Sequence, residues 1–233
     1  MNHLATHYNT LYQTAVQKIY AGQYETDPLI DDPTDTRRGL TLLIRPDEII
    51  RSRIRHFLDQ LALVAPGQYF YPASDMHVTV MAVISAVPGF TVDQIDPKAY
   101  EALVQRSLAG IQPFQLDFRG LTASPAGVLV QGFPGGAALN DIRDQLRANF
   151  KTSTLPQSLD ARYPIQTAHL TIARLRQPLA DVPTYLEMIE KYRSVHFGTM
   201  QAHQLELVYN DWYQRAAHTQ KLAQFALGSQ KTM

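Results

Sequence analysis

The sequence predicts an α+β protein of two lobes, a duplicated βαβ-type architecture with antiparallel sheets flanking a central cleft and helices on the outside. Three observations carry this reading. The order strand, helix, strand, helix, strand occurs twice between Gly39 and Val208. In each copy the middle strand carries a His and a Thr two residues apart, Met76-His77-Val78-Thr79-Val80 and Ala168-His169-Leu170-Thr171-Ile172. In each copy, too, a proline ends the opening strand: His77 comes 31 positions after Pro46, and His169 35 positions after Pro134. The letters barely repeat, but the grammar does, which is the mark of an internal duplication.

Residues 2–20 place Leu4, Tyr8, Leu11, Ala15 and Ile19 at steps of three or four, a helical stripe. The Asp- and Pro-rich run that follows, Thr26 to Asp35, reads as a solvated linker; its spacing fits no calcium loop. Residues 1–37 are therefore a helical appendage and linker: a lid, a packing arm or a dimer contact. Residues 38–233 are the two-lobed unit, its lobes interleaved around the His77 and His169 strands.

Leu40 to Ile44 is a short apolar run of strand length, and Pro46 then opens a helix whose stripe is Ile50, Ile54, Phe57, Leu58 and Leu61. The first His-Thr strand follows. Asp96 and Pro97 start the next helix, which runs to Gly110, and Phe114 to Phe118 alternates as a half-buried strand. The second copy opens with Val128 to Phe133, continues with a helix carrying Leu139, Ile142, Leu146 and Phe150, and reaches the second His-Thr strand. A helix over 183–192, a strand over 204–208 and a closing hairpin from Asp211-Trp212-Tyr213 to Leu227 complete it.

Composition bounds the function. A formal net charge of zero gives no broad electrostatic grip on duplex DNA, while a nucleotide or a locally read RNA end stays open. The absence of cysteine removes disulfides, thiolate nucleophiles and cysteine metal sites. The N-terminus lacks a signal-peptide pattern and no run is long enough to span a bilayer, so the expectation is a cytoplasmic protein with no membrane partner. No Gly-x-Ser-x-Gly elbow, His-Glu-x-x-His or Gly-Lys-Ser/Thr loop occurs.

Of the eight histidines, only His77 and His169 have Thr at the second position beyond. On a strand such residues share a face, so imidazole and hydroxyl stand side by side. Taken singly, each reads as a satisfied strand histidine. As a pair across a cleft they form a cage of two imidazoles and two hydroxyls suited to a phosphodiester. One imidazole takes a proton from the attacking hydroxyl or water and the other gives one to the departing oxygen. Thr79 and Thr171 hold the non-bridging oxygens. These groups cover the needs of the reaction, so no metal and no cofactor is expected. Tyr71 and Tyr163 lead into the two motifs and, with Tyr209, Trp212 and Tyr213, are candidates to stack a base. His3, His7, His56, His196, His203 and His218 carry no partner pattern and read as surface or incidental.

The paired His-x-Thr motifs resemble those of the two-histidine (2H) phosphoesterase superfamily, which includes bacterial 2′-5′ RNA ligase-like proteins and cyclic nucleotide phosphodiesterases. The resemblance covers roughly Gly39 to Leu227. It implies a metal-independent phosphodiesterase acting on a 2′,3′-cyclic nucleotide or an RNA-end phosphate, with a non-catalytic binding module or an RNA 2′-5′ ligase as alternatives. The run His169-Leu170-Thr171-Ile172-Ala173-Arg174 is similar to the second motif of the RNA ligase-like branch, where an arginine at the place of Arg174 binds phosphate. Strict alternation points Arg174 away from His169, so a bulge re-aims it or it sits on the outer face.

Overall fold

The computed structural model describes residues 3–161 and 164–228. A helix, α1 (His3–Tyr20), precedes β1 (Arg37–Ile44), α2 (Glu48–Val64), the short β2 (Tyr69–Phe70), β3 (Val78–Pro88), α3 (Pro97–Ser107) and β4 (Phe114–Ser124). The second copy follows as β5 (Gly127–Pro134), α4 (Ala138–Lys151), β6 (Leu170–Arg174), α5 (Val182–Lys191), β7 (His196–Ala202), β8 (Gln204–Asp211) and β9 (Gln220–Ala226).

The strands form one curled antiparallel sheet in the order β7-β4-β5-β6-β3-β1-β8-β9, with β2 beside β6. This order is a palindrome in the duplication: β6 mirrors β3, β5 mirrors β1 and β4 mirrors β8. The two His-Thr strands meet at its centre through a single residue pair, Val78 opposite Leu170. The two sheets expected from the sequence are thus halves of one. Each βαβ step joins antiparallel neighbours, β1 with β3 and β5 with β6, rather than the parallel strands that such a crossover usually connects.

The two copies also exchange parts. β4 closes the first copy in sequence yet pairs with β5, while β8 closes the second and pairs with β1. The helices follow: α2 packs with α5 and β7, and α3 packs with α4 and β9. Each half of the sheet is therefore covered by one helix from each copy, which leaves neither copy a complete core of its own. Phe57, Leu61, Tyr100, Leu146, Phe150 and Ile189 are among the side chains buried between helices and sheet.

Local chemistry accounts for the helix starts. Asp96 caps α3 by accepting from Lys98 N at 3.0 Å with Pro97 behind it, and Asp181 caps α5 by accepting from Thr184 N at 3.0 Å. Asp47, not Pro46, is the boundary of α2: its carboxylate accepts from Ile50 N at 2.9 Å, and Pro46 lies outside the helix. β7 was not legible in the sequence, because His196-Phe197-Gly198-Thr199 has neither a continuous apolar run nor clean alternation.

The N-terminal segment is packed against this frame. α1 lies on β4 and α5. Tyr8 is fully buried; its hydroxyl donates to Gly132 O at 3.2 Å and accepts from Ala168 N at 3.1 Å, the residue just before the second motif histidine. Gly132 is required there, since a Cβ would fall 1.9 Å from the Ala168 carbonyl oxygen. The linker is pinned too, with Glu25 N donating to Pro125 O and Asp27 N to Leu175 O. Among the described residues no helix is long and apolar enough to cross a membrane.

Candidate active site

Because β3 and β6 are antiparallel and meet at Val78 and Leu170, extending the register by one residue sets His77 opposite Thr171 and Thr79 opposite His169. Both histidines stand one residue before their strand begins. Burial alternates as the pattern requires: Val78, Val80, Leu170 and Ile172 are buried, while His77, Thr79, His169 and Thr171 are half-buried and line one cavity of about 760 Å³. Two His-Thr pairs, unconnected in sequence, thus share one space.

Each imidazole is oriented from behind. His77 Nδ1 lies 2.7 Å from Asp75 O, a carbonyl that only accepts, so the proton sits on Nδ1 and the Nε2 lone pair remains for the cavity. Asp75 is itself buried, accepting from Ser74 Oγ at 2.7 Å and from Ala216 N at 3.0 Å. His169 Nδ1 lies 2.7 Å from Thr167 Oγ1, a hydroxyl that donates or accepts and so suits either protonation state.

Burial lowers both pKa values, each to about 4. For His77 the Asp75 carbonyl opposes this, and the charges of Arg45, His169 and Arg174 add to it. For His169 the added charges are Arg143, Arg174 and His7. Both imidazoles are therefore neutral at pH 7, with the guanidinium of Arg174 near each of them.

Stability is expected to depend on pH as a result. An unfolded imidazole takes up its proton around pH 6.5, whereas in the folded protein both wait until about 4. Between those values the unfolded chain holds more protons, so stability falls as the pH is lowered through the window. Urea denaturation from pH 7 to pH 4 is expected to show that decline, and His77→Gln is expected to flatten it; an equal slope in the variant would refute the assignment.

Arg174 lines the same cavity. The pairing with β5 runs Leu129–Thr171 and then Val128–Ala173, which leaves Ile172 as a bulged residue. The extra residue reverses the alternation, buries both Ile172 and Ala173, and brings Arg174 to the face of His169. Its Nε donates to Tyr71 Oη at 2.9 Å. Tyr71 is 2% exposed, so it meets the cavity mainly by holding Arg174 rather than by offering an open ring. Tyr163 lies outside the described residues.

Other residues belong to the site without having been singled out. Arg143 of α4 is 1% exposed and donates to the carbonyls of Val80 (3.1 Å) and Thr167 (2.6 Å), tying the two motifs together from behind the sheet. Its spacing from Leu139 and Leu146 on the buried stripe was the available signal. His7 is not incidental: it lines the cavity with Leu11, one helical turn apart on α1. Trp212, Asn210 and Gln214 line it from the end of β8 and the loop that follows.

The family model of the 2′-5′ RNA ligase superfamily matches residues 47–211, most of the chain and both motifs. The protein belongs to this superfamily. Solved structures agree with the 2′-5′ RNA ligase fold. TT0787 of Thermus thermophilus is 18% identical, covering 81% of this chain and 97% of its own, with a TM-score of 0.56. A structure described as a phosphoesterase is 18% identical, covering 83% and 99%, with a TM-score of 0.58. Escherichia coli LigT complexed with 3′-AMP is 17% identical, covering 83% and 99%, with a TM-score of 0.56. Comparison with curated proteins gives no match. The superfamily model begins at Asp47, so α1, with His7 and Tyr8, lies outside the matched part.

Proposed function

We propose that the protein is a metal-independent phosphodiesterase that opens a 2′,3′-cyclic or related phosphate on a nucleotide or RNA end, using His77 and His169 as base and acid. The observation that carries this is the meeting of two His-Thr pairs on adjacent antiparallel strands at one cavity. Support comes from the E. coli LigT complexes with 3′-AMP, NADP+ and ATP, all nucleotides with phosphate groups.

The proton positions suggest the roles. His77, with Nδ1–H held by the Asp75 carbonyl, presents a basic Nε2 to the attacking water. His169, whose Thr167 partner accepts as well as donates, carries the proton once a phosphate anion arrives and offsets the burial and the neighbouring cations that lower its pKa. Water attacks phosphorus, its proton goes to His77 Nε2, the P–O bond to the ribose oxygen breaks, and that oxygen takes the proton from His169. The product is a phosphate monoester. Thr79, Thr171 and Arg174 meet the non-bridging oxygens, where negative charge grows.

Incubation with 2′,3′-cyclic nucleotides in the presence of a chelator, followed by phosphorus NMR, tests this. A monoester product is expected. Ligand-induced thermal stabilisation without product would make the protein a binding module, formation of a 2′-5′ linkage would make it a ligase, and turnover abolished by chelator would overturn metal independence.

A further inference from the structure

We propose that Asn210, Trp212 and Gln214 form a subsite that reads a nucleobase carrying an exocyclic amino group. This rests on the nucleotide reading above and names the part of the substrate that the His-Thr cage does not touch.

All three residues line the cavity, alternating along the end of β8 and the loop that follows it. Asn210 and Gln214 are 3% and 5% exposed. Among the described residues, neither Asn210 Oδ1 nor Gln214 Oε1 has a hydrogen-bond partner, although both atoms are buried. The orientation of the Asn210 carboxamide is set by its own Nδ2, which donates to Asp211 O at 2.7 Å and thereby leaves the oxygen as the unpartnered atom. A buried acceptor without a partner is destabilising, and such groups are rare in folded proteins. Two of them four residues apart on one cavity wall make a recess shaped for donors that arrive with a ligand. Gln214 also has a φ of +61°, a left-handed conformation unfavourable for a non-glycine residue and one that concentrates at ligand clamps.

Between them stands Trp212, half-buried, with the Arg37 guanidinium 4.8 Å from its ring centre. An indole backed by a cation is a platform for a flat heterocycle. The loop is held firmly: Tyr213 donates to Asp27 at 2.9 Å and accepts from Arg37 at 3.0 Å, and Arg215 Nε donates to the buried Asp211 at 2.6 Å. It also adjoins the phosphate end, since the Tyr213 ring centre lies 5.6 Å from the guanidinium of Arg174. A nucleotide with its phosphate between the histidines would therefore find the aromatic and the two acceptors beyond Arg174.

Two acceptors select for donors. Adenine, cytosine and guanine each carry an amino group, whereas uracil presents a single imino N–H flanked by carbonyl oxygens that would face the protein's own. The subsite should favour the first three over uracil.

Trp212 is the one tryptophan in the chain, so its fluorescence reports binding at this place directly. Titration with the 3′-monophosphates of adenosine, cytidine, guanosine and uridine is expected to quench it, with uridine several-fold weaker; inorganic phosphate should bind without comparable quenching. Asn210→Leu and Gln214→Met keep side-chain size and remove the acceptor. Each should weaken the amino-bearing nucleotides about tenfold, the scale of one lost hydrogen bond, while the thermal shift given by inorganic phosphate is unchanged. Equal affinity for all four nucleotides in the wild type, or unaltered affinity in a folded Gln214→Met, would overturn the proposal. Because the readout is binding, it is separable from catalysis. Quenching with the predicted preference but no hydrolysis sustains the subsite and removes the enzyme reading; hydrolysis without base preference does the reverse.

Discussion

His77→Ala and His169→Ala are each expected to lower kcat for a 2′,3′-cyclic nucleotide by roughly a hundred- to ten-thousandfold, the range for one positioned acid or base. The thermal midpoint should stay close to that of the wild type. Both imidazoles are uncharged at neutral pH, because burial and nearby cations hold them down to about 4, so no ion pair is lost with either. Their ring nitrogens are held by Asp75 O and by Thr167 Oγ1, and each ring faces a cavity instead of filling a core. The double variant should be little worse than the poorer single one, since a base without its acid completes no proton transfer. Phosphorus NMR on purified variants checks this; wild-type turnover in either single variant ends the two-histidine reading.

The site was legible in the sequence to the extent that it depends on periodicity. A His and a Thr two apart point to one face of any strand, and the repeated element order implied that two such strands would become equivalent across a pseudo-twofold. What periodicity does not encode is pairing. Nothing in the letters says that β4 leaves its own copy to join β5, or that both halves merge through Val78 and Leu170 into one sheet. Register breaks are equally silent: Ile172 looks like any apolar strand residue, yet it decides where Arg174 points.

The residues missed were those whose role comes from distant partners. Tyr8 appeared as one member of a helical stripe, and only the fold brings its hydroxyl to Ala168, next to His169. His7 follows from the same contact, because anchoring Tyr8 turns the adjacent face of α1 toward the cavity. Arg143 sat at a buried position of α4, where a guanidinium needs several acceptors, and three backbone carbonyls from the two motif segments supply them. A charged residue on an apolar stripe is the kind of local inconsistency that marks a site.

Arg174→Ala is expected to lower kcat/KM by about a hundred- to a thousandfold, the usual cost of removing one donor aimed at developing charge. The two halves of the sheet differ in a way that explains why. β3 carries the same bulge as β6: Thr79 pairs with Leu43 and Met81 with Leu42, so Val80 is skipped as Ile172 is. Five positions past the histidine, one half presents Arg174 to the cavity and the other Ala82. The scaffold is symmetric there and the charge is not, so under the proposed function a bound phosphate would be drawn toward one side, which would give the two histidines different work. Arg174→Lys should fall between wild type and alanine, since an ammonium keeps the charge but loses the planar fork in which Nε holds Tyr71 and two further nitrogens remain as donors. Moving the charge to the other half, Arg174→Ala with Ala82→Arg, should not restore activity if that orientation matters. Recovery in the double variant would show that charge alone suffices, and an unchanged kcat/KM in Arg174→Ala would take the residue out of the reaction.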